Sequence, residues 1–425
     1  MNENGSALAE AIDQTVEAQR EDTVELLRRL VRVPSVTGEE GAVQSLVRDA
    51  FRERGLAVKL CETSAERIAP YHEHVGEQAS FENRPNVLGF RPGSGGGRSL
   101  MLNAHVDTVA AGDPGAWSRD PHSGEAEGGL LYGRGSCDMK GGLATHLAAL
   151  AALDELGVEL RGDVTVAATV GEEDGGFGAL GVVLAGYRAD AALITEPTRL
   201  ALVPAQGGSL MFRLEIPGRS AHGAARDRGV SALEKFVPVF EELLALERER
   251  NATLSHPLYD GLKNKVPINV GTVRSGDWAS TVPESLVAEG RAGLIPGEDL
   301  EELKTLLSER VSRAAARDPW LRDHPPKLEW PGGQFLPADI PSGDPFCAAV
   351  GAAHRTVTGE KPQVEGVPYG ADMRHFIHFG GMPCVMYGAG DVGAAHAPDE
   401  HISIDDLMTA TKSIACLLAD WCGAA

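Results

Sequence analysis

Residues 100–107 read Leu-Met-Leu-Asn-Ala-His-Val-Asp. An apolar run of strand length ends in His105 and, two places on, Asp107. Period-two spacing lets both side chains face the same way. The design recurs along the chain. Residues 164–170 are followed by Glu172-Glu173, residues 191–195 by Glu196, and residues 384–387 by a loop that carries His396. Leu143, Leu147, Leu150 and Leu153 keep helical spacing ahead of the run 164–170. Apolar strands alternating with helices predict an α/β fold, a mostly parallel sheet covered by helices. Ligands of such sheets bind beyond the carboxyl ends of the strands. Polar residues far apart in sequence can therefore meet at one site.

Outward from that core, residues 7–32 predict a helix. Thr37-Gly38-Glu39-Glu40 predicts a capping box opening a second helix through Val43, Leu46, Val47 and Phe51. Further strands are expected at 86–90 and 130–132. From Gly207 the texture changes to strand, helix, strand, strand and helix, an α+β unit over residues 207–322. A Pro-rich stretch then leads to a helix at 345–358, the run 384–387 and a last helix at 404–421. The expected architecture is a discontinuous catalytic domain, residues 1–206 and 323–425, with the second unit inserted.

Composition narrows the function. The chain of 425 residues is 43% hydrophobic and 24% charged, which excludes disorder and coiled coil as overall descriptions. It carries 39 basic and 61 acidic residues, a net charge of −22. Dispersed acids repel phosphate backbones, so no nucleic-acid partner is expected. No apolar run reaches bilayer length and no signal-peptide pattern opens the chain, so neither a membrane partner nor export is expected. Six cysteines without a Cys-x-x-Cys pair read as reduced thiols of a cytoplasmic protein.

Taken singly, the polar clusters are ordinary. His105 with Asp107 reads as a strand-end salt bridge, Asp138 as a helix N-cap and Glu172-Glu173 as a solvated turn. Together, two histidines (His105, His396) and three carboxylates (Asp138, Glu173, Glu196) suit two divalent ions, with Asp138 bridging because it has two oxygens. The N/O set without thiolate suits Zn²⁺ and admits Co²⁺ or Mn²⁺. Two cations about 3.5–4 Å apart activate a water and polarise a carbonyl together. Glu172 is the spare acid, suited to proton transfer.

The sequence resembles the M20 dinuclear metallohydrolases, which include acetylornithine deacetylase, succinyl-diaminopimelate desuccinylase, aminoacylases and glutamate carboxypeptidases. The matching segments, in family order, are Met101–Val109, Tyr132–Gly142 with Asp138, Gly171-Glu172-Glu173, Ala192–Pro197 and Gly388–Glu400. The resemblance implies that His105, Asp138 and Glu196 bind one metal and Asp138, Glu173 and His396 the other. It further implies that Asp107 orients His105, that Glu172 is the general acid/base, and that a cis peptide precedes Met139. The inserted unit resembles the family's lid and dimerisation domain, so a homodimer is implied. His222, in Gly218-Arg-Ser-Ala-His222-Gly-Ala, matches a histidine that reaches the partner's active site. Asn269 matches a lid asparagine near the substrate, and Gly370 and Arg374 match a segment near a substrate carboxylate. The chain departs from the pattern where Gly293 replaces a lid arginine. Arg291, two residues earlier on the same face, is the expected substitute. Ala371 replaces a threonine, His122 a phenylalanine, and residues 61–84, with His72-Glu73-His74, have no counterpart.

The implied activity is removal of an acyl group from an N-acyl amino acid or a similar small, carboxylate-bearing amide by metal-bound hydroxide. A metallocarboxypeptidase or dipeptidase is the alternative, and a non-catalytic metal-containing binding protein the remote one. A dinucleotide reading of the turn Gly133–Asp138 fails, because Asp138 would point a carboxylate at a pyrophosphate. The stretch Pro92-Gly-Ser-Gly-Gly-Gly97 reads as a hairpin loop.

Overall fold

The computed structural model describes residues 3–76 and 80–424. The large sheet has nine strands. Its centre is parallel: Val164–Thr169, Leu100–His105, Ala192–Ile194 and Cys384–Met386 lie side by side in one direction. The flanks are antiparallel, with Asn86–Arg91 beside Val164–Thr169 and Leu202–Gln206 beside Cys384–Met386. Every residue of Leu100–His105 is buried, as expected of a central strand covered on both faces. The helix Gly141–Glu155 is buried on nearly every side, and Ile404–Trp421 packs on it.

The second unit alternates cleanly. In Gly208–Pro217 and Ser285–Leu294, Leu210, Phe212, Leu214, Leu286, Ala288 and Ala292 are buried against the helices Ala232–Thr253 and Leu300–Arg317. Met211, Arg213, Val287, Glu289 and Arg291 stand on the opposite, more open face. This sheet also recruits Lys327–Glu329 and Gln334–Phe335, both antiparallel to Gly208–Pro217. The large sheet regains the chain at Ala338–Asp339.

Several local expectations are corrected. The helix expected over 7–32 is two helices, Glu3–Ala18 and Arg20–Val31, broken at Gln19. No capping box forms at Thr37. Its hydroxyl donates to Asp107 Oδ2 at 3.0 Å, and Glu40 instead pairs with buried Arg84. The Gly-rich loop 92–97 is not a hairpin loop, since Val164–Thr169 lies between the strands it joins. Leu130–Tyr132 lies outside the large sheet, paired with Ala126–Glu127 and His401–Ser403. All six cysteines are free.

Candidate metal centre

Four strand ends and one turn converge at the carboxyl edge of the large sheet. His105 closes Leu100–His105, and its ring is fixed from behind. Its Nδ1 lies 3.0 Å from the Asp107 carbonyl oxygen and 3.5 Å from Asp107 Oδ1. That leaves Nε2 facing Asp138 Oδ1 at 3.1 Å and Glu196 Oε1 at 4.0 Å. His396 enters from the other side, its Nε2 3.0 Å from Glu173 Oε1 and 3.4 Å from Asp138 Oδ2. Each Asp138 oxygen thus addresses a different histidine. Ligand atoms of His105, Asp138 and Glu173 all lie within 4.8 Å of one another.

Asp107 is fully buried and serves three donors. Besides the Thr37 hydroxyl it accepts the backbone N–H of Glu172 and of Glu173, each at 3.2 Å. The carboxylate behind His105 therefore also sets the turn that presents both glutamates. The peptide bond between Asp138 and Met139 is cis.

Burial pushes the carboxyls of Glu196 and Glu173 up, and the negative charge of Asp138 adds to the push. Hydrogen bonds to Asp138 and Glu173 push His396 up to about 10. Burial would depress His105, but bonds to Asp107 and Asp138 overcome it and hold the ring well above its ordinary value. Two imidazoles and three carboxylates facing one another form an N/O donor set that fits divalent cations. Glu172 is partly buried and its carboxyl has no hydrogen-bond partner among the described residues. Burial, with Glu196, Asp372 and Glu173 nearby, raises its pKa well above the usual carboxylate range.

Residues with no role assigned from sequence hold the frame. Buried Glu400 accepts from Cys137 N at 3.0 Å and Asp138 N at 3.1 Å, and pairs with Arg134 at 2.6 Å. Antiparallel pairing of His401–Ser403 with Leu130–Tyr132 ties the His396 loop to the Asp138 turn. Buried Lys140 donates to the carbonyls of Leu30 and Val33, and burial lowers its amine to about 7. Glu400 closes the last matching segment, and Lys140 sits two residues past Asp138. Only that proximity signalled them.

The remaining site candidates lie apart. His222 is exposed, and its Nδ1 accepts the Ala224 N–H at 3.1 Å. Asn269 and Arg291 are direct cross-strand partners, so their side chains share one face of the smaller sheet. Among the described residues no hydrogen bond or ion pair joins these three to the cluster. Gly370 lies beside Gln206 and Arg374. Arg374, expected near a substrate carboxylate, is engaged here with the main chain. The residue is 2% exposed, and its Nη1 and Nη2 donate to the carbonyls of Ala371 at 2.6 Å and Gly175 at 2.7 Å. In the segment without a counterpart, His72 and His74 bond to the carbonyls of Ala69 and Gln334 and do not pair with each other.

Residues 101–420 match the model of peptidase family M20/M25/M40. N-formyl-4-amino-5-aminomethyl-2-methylpyrimidine deformylase of Bacillus subtilis (strain 168) is 28% identical over 436 residues, covering 97% of each chain. Succinyl-diaminopimelate desuccinylase of Gluconacetobacter diazotrophicus is 29% identical, covering 92% of this chain and 95% of the relative. A di-peptidase from Saccharomyces cerevisiae shares the fold with a TM-score of 0.77 at 14% identity, covering 97% of this chain and 98% of that one.

Proposed function

This chain belongs to peptidase family M20/M25/M40 and is a metal-dependent amide hydrolase, and we propose that the amide it cleaves joins a small acyl group to an amine. The observation that carries the reading is Asp138, set between two histidines with one oxygen toward each, beside Glu172, whose carboxyl is spare to the cluster. His105, Asp138 and Glu196 would hold one divalent ion, and Asp138, Glu173 and His396 a second, with zinc the best fit to the donors. Bound there, the ions supply Lewis-acid activation of water and of the amide carbonyl. Glu172 takes a proton from the attacking water and returns it to the leaving nitrogen, a role suited to a carboxyl whose pKa burial raises. Asp107 keeps the His105 ring turned so that Nε2 faces the site.

The inserted unit completes the site from a second copy. Its support is threefold. Ile268–Ser275 is an edge strand of the smaller sheet, and Leu233, Val237 and Val273 are exposed apolar residues. The N–H of Ala224 on Nδ1 of His222 leaves Nε2 to carry the proton of the neutral ring, which makes it a donor for an oxyanion. Arg291, beside Asn269, would hold a carboxylate on the amine side of the substrate. Among the described residues no helix is long and apolar enough to cross a membrane. Six free thiols support a reducing compartment such as the cytoplasm.

The test is a panel of N-formyl, N-acetyl and N-succinyl amines and amino acids set against dipeptides, with metal supplied. Turnover concentrated on the acyl amides is expected. Preference for dipeptides would move the chain to the peptidase reading, and no amide hydrolysis with full metal loading would overturn the proposal.

A further inference from the structure

The turn that presents Glu172 and Glu173 runs on into Asp174-Gly175-Gly176. Gly175 and Gly176 have φ of +91° and +74°. A paired glycine backbone has little stiffness of its own, so the position of the two carboxylates must be imposed by neighbours. Asp107 does this on the leading side, through the N–H groups of Glu172 and Glu173.

On the trailing side the Gly175 carbonyl accepts 2.7 Å from Arg374 Nη2, and His375 Nε2 lies 3.2 Å from the same oxygen. The second Arg374 amine, Nη1, donates to Ala371 O at 2.6 Å. The guanidinium lies 4.5 Å over the Phe335 ring, and that ring also bounds the glycine. A Cβ on Gly175 would meet Phe335 at 2.9 Å and Gly76 N at 2.4 Å. Gly76 N in turn donates to Asp174 O at 2.8 Å. The turn is therefore bolted between the 371–375 segment and the chain before residue 77.

We propose that Arg374 is a positioning residue for the hydrolysis, holding the Glu172–Gly175 turn in place through the Gly175 carbonyl and leaving the substrate carboxylate to other groups. This rests on the reading of Glu172 as proton carrier and Glu173 as metal ligand. Both terminal amines of this buried guanidinium donate to main-chain oxygens, and its Nε, which has no partner among the described residues, is itself buried. A charged donor suits the task, because ionic hydrogen bonds are roughly twice as strong as neutral ones. The acids that face its charge are Asp372 and Glu172.

Arg374→Lys keeps the charge but cannot reach both carbonyls, and Phe335→Leu removes the ring beneath the guanidinium while sparing the arginine. Two readouts are taken: steady-state kinetics on an acid substrate and on its amidated analogue, and amide hydrogen exchange on the metal-free protein. Displacing a catalytic group by about 1 Å costs roughly 10²-fold. The Lys variant is expected to lose about that much kcat on both substrates, with KM nearly unchanged and faster exchange confined to residues 171–177. The Leu variant should show the same pattern, weaker. A rise in KM for the acid substrate alone, with wild-type exchange in 171–177, would overturn the proposal and return Arg374 to the carboxylate. If the wild type hydrolyses no amide, the functional reading fails by itself, and the exchange measurement still decides whether Arg374 anchors the turn.

Discussion

At the carboxyl edge of the large sheet, His105, Asp107 and Glu196 are buried and their neighbours already touch one another. On the smaller sheet and its flanking turn, His222 and Asn269 stand exposed, with no bond to that cluster among the described residues. The first region is organised before any ligand arrives. The second becomes part of a site only when something is brought to it. Rigid placement suits groups that carry the chemistry, where small displacements are costly. Exposed groups on a separate unit suit substrate capture and closure.

The largest expected effect falls on the organised side. Glu172→Gln should lower kcat by about 10²–10⁴-fold and leave metal content untouched, because the residue is spare to the ligand set. Metal loss equal to that of Glu173→Gln, read by elemental analysis, would erase the division between the two glutamates. On the exposed side, His222→Ala should cost about 10²–10³-fold in kcat, as loss of one oxyanion donor does, with folding and metal content intact. Mixing His222→Ala with Glu172→Gln chains should then restore activity, since one site of the heterodimer has both groups. Mixed dimers as dead as either parent, after verified subunit exchange, would rule out donation across subunits. A smaller effect is expected at Arg291. A hydrogen bond to a charged group is worth about 1.5–3 kcal/mol, so Arg291→Ala should raise KM about tenfold or more for carboxylate substrates and spare their amides. Equal effects on acid and amide would remove the clamp.

The smallest effect tests the burial that supports the organised side. His146, whose Nε2 lies 3.0 Å from Thr195 Oγ1 next to Glu196, is fully buried, and burial lowers its pKa to about 3. The unfolded chain takes a proton there near pH 6.5. Between pH 6.5 and about 3 the unfolded state therefore binds more protons, and this residue removes about 1.4 kcal/mol of stability per unit as pH falls. Buried carboxyls with raised pKa values act in the opposite sense, so the comparison must be with a variant. His146→Gln should have a shallower acid slope than wild type in urea unfolding at pH 7, 6 and 5. Identical slopes would mean that the ring titrates freely.

The contrast between the regions also explains what is legible in the sequence. Buried parallel strands are short apolar runs, and a charged residue at such an end is conspicuous, so His105, Glu173 and Glu196 stand out from the sequence alone. The last helix is found at Ile404–Trp421, as its periodicity predicts. Ala57–Cys61 escapes the pattern because it is an edge strand whose exposure does not alternate. Lys327–Glu329 and Gln334–Phe335 escape it because they are three- and two-residue pieces inside a Pro-rich stretch. Thr37 carries a valid capping signal, but Asp107, 70 residues away, takes its hydroxyl. Arg374 illustrates the same limit. Its residue type suits a carboxylate, and only the fold reveals that two carbonyl oxygens already claim it.

If this reading holds, Asp138 joins two cation sites. Elemental analysis of the fully active protein, run beside Asp138→Asn, tests it most directly. Two divalent ions per chain are expected in the wild type, both lost together with activity in the variant, and zinc or cobalt should restore the chelated wild type. A fully active protein with no bound metal, or an Asp138→Asn variant that keeps two ions and normal turnover, would contradict it.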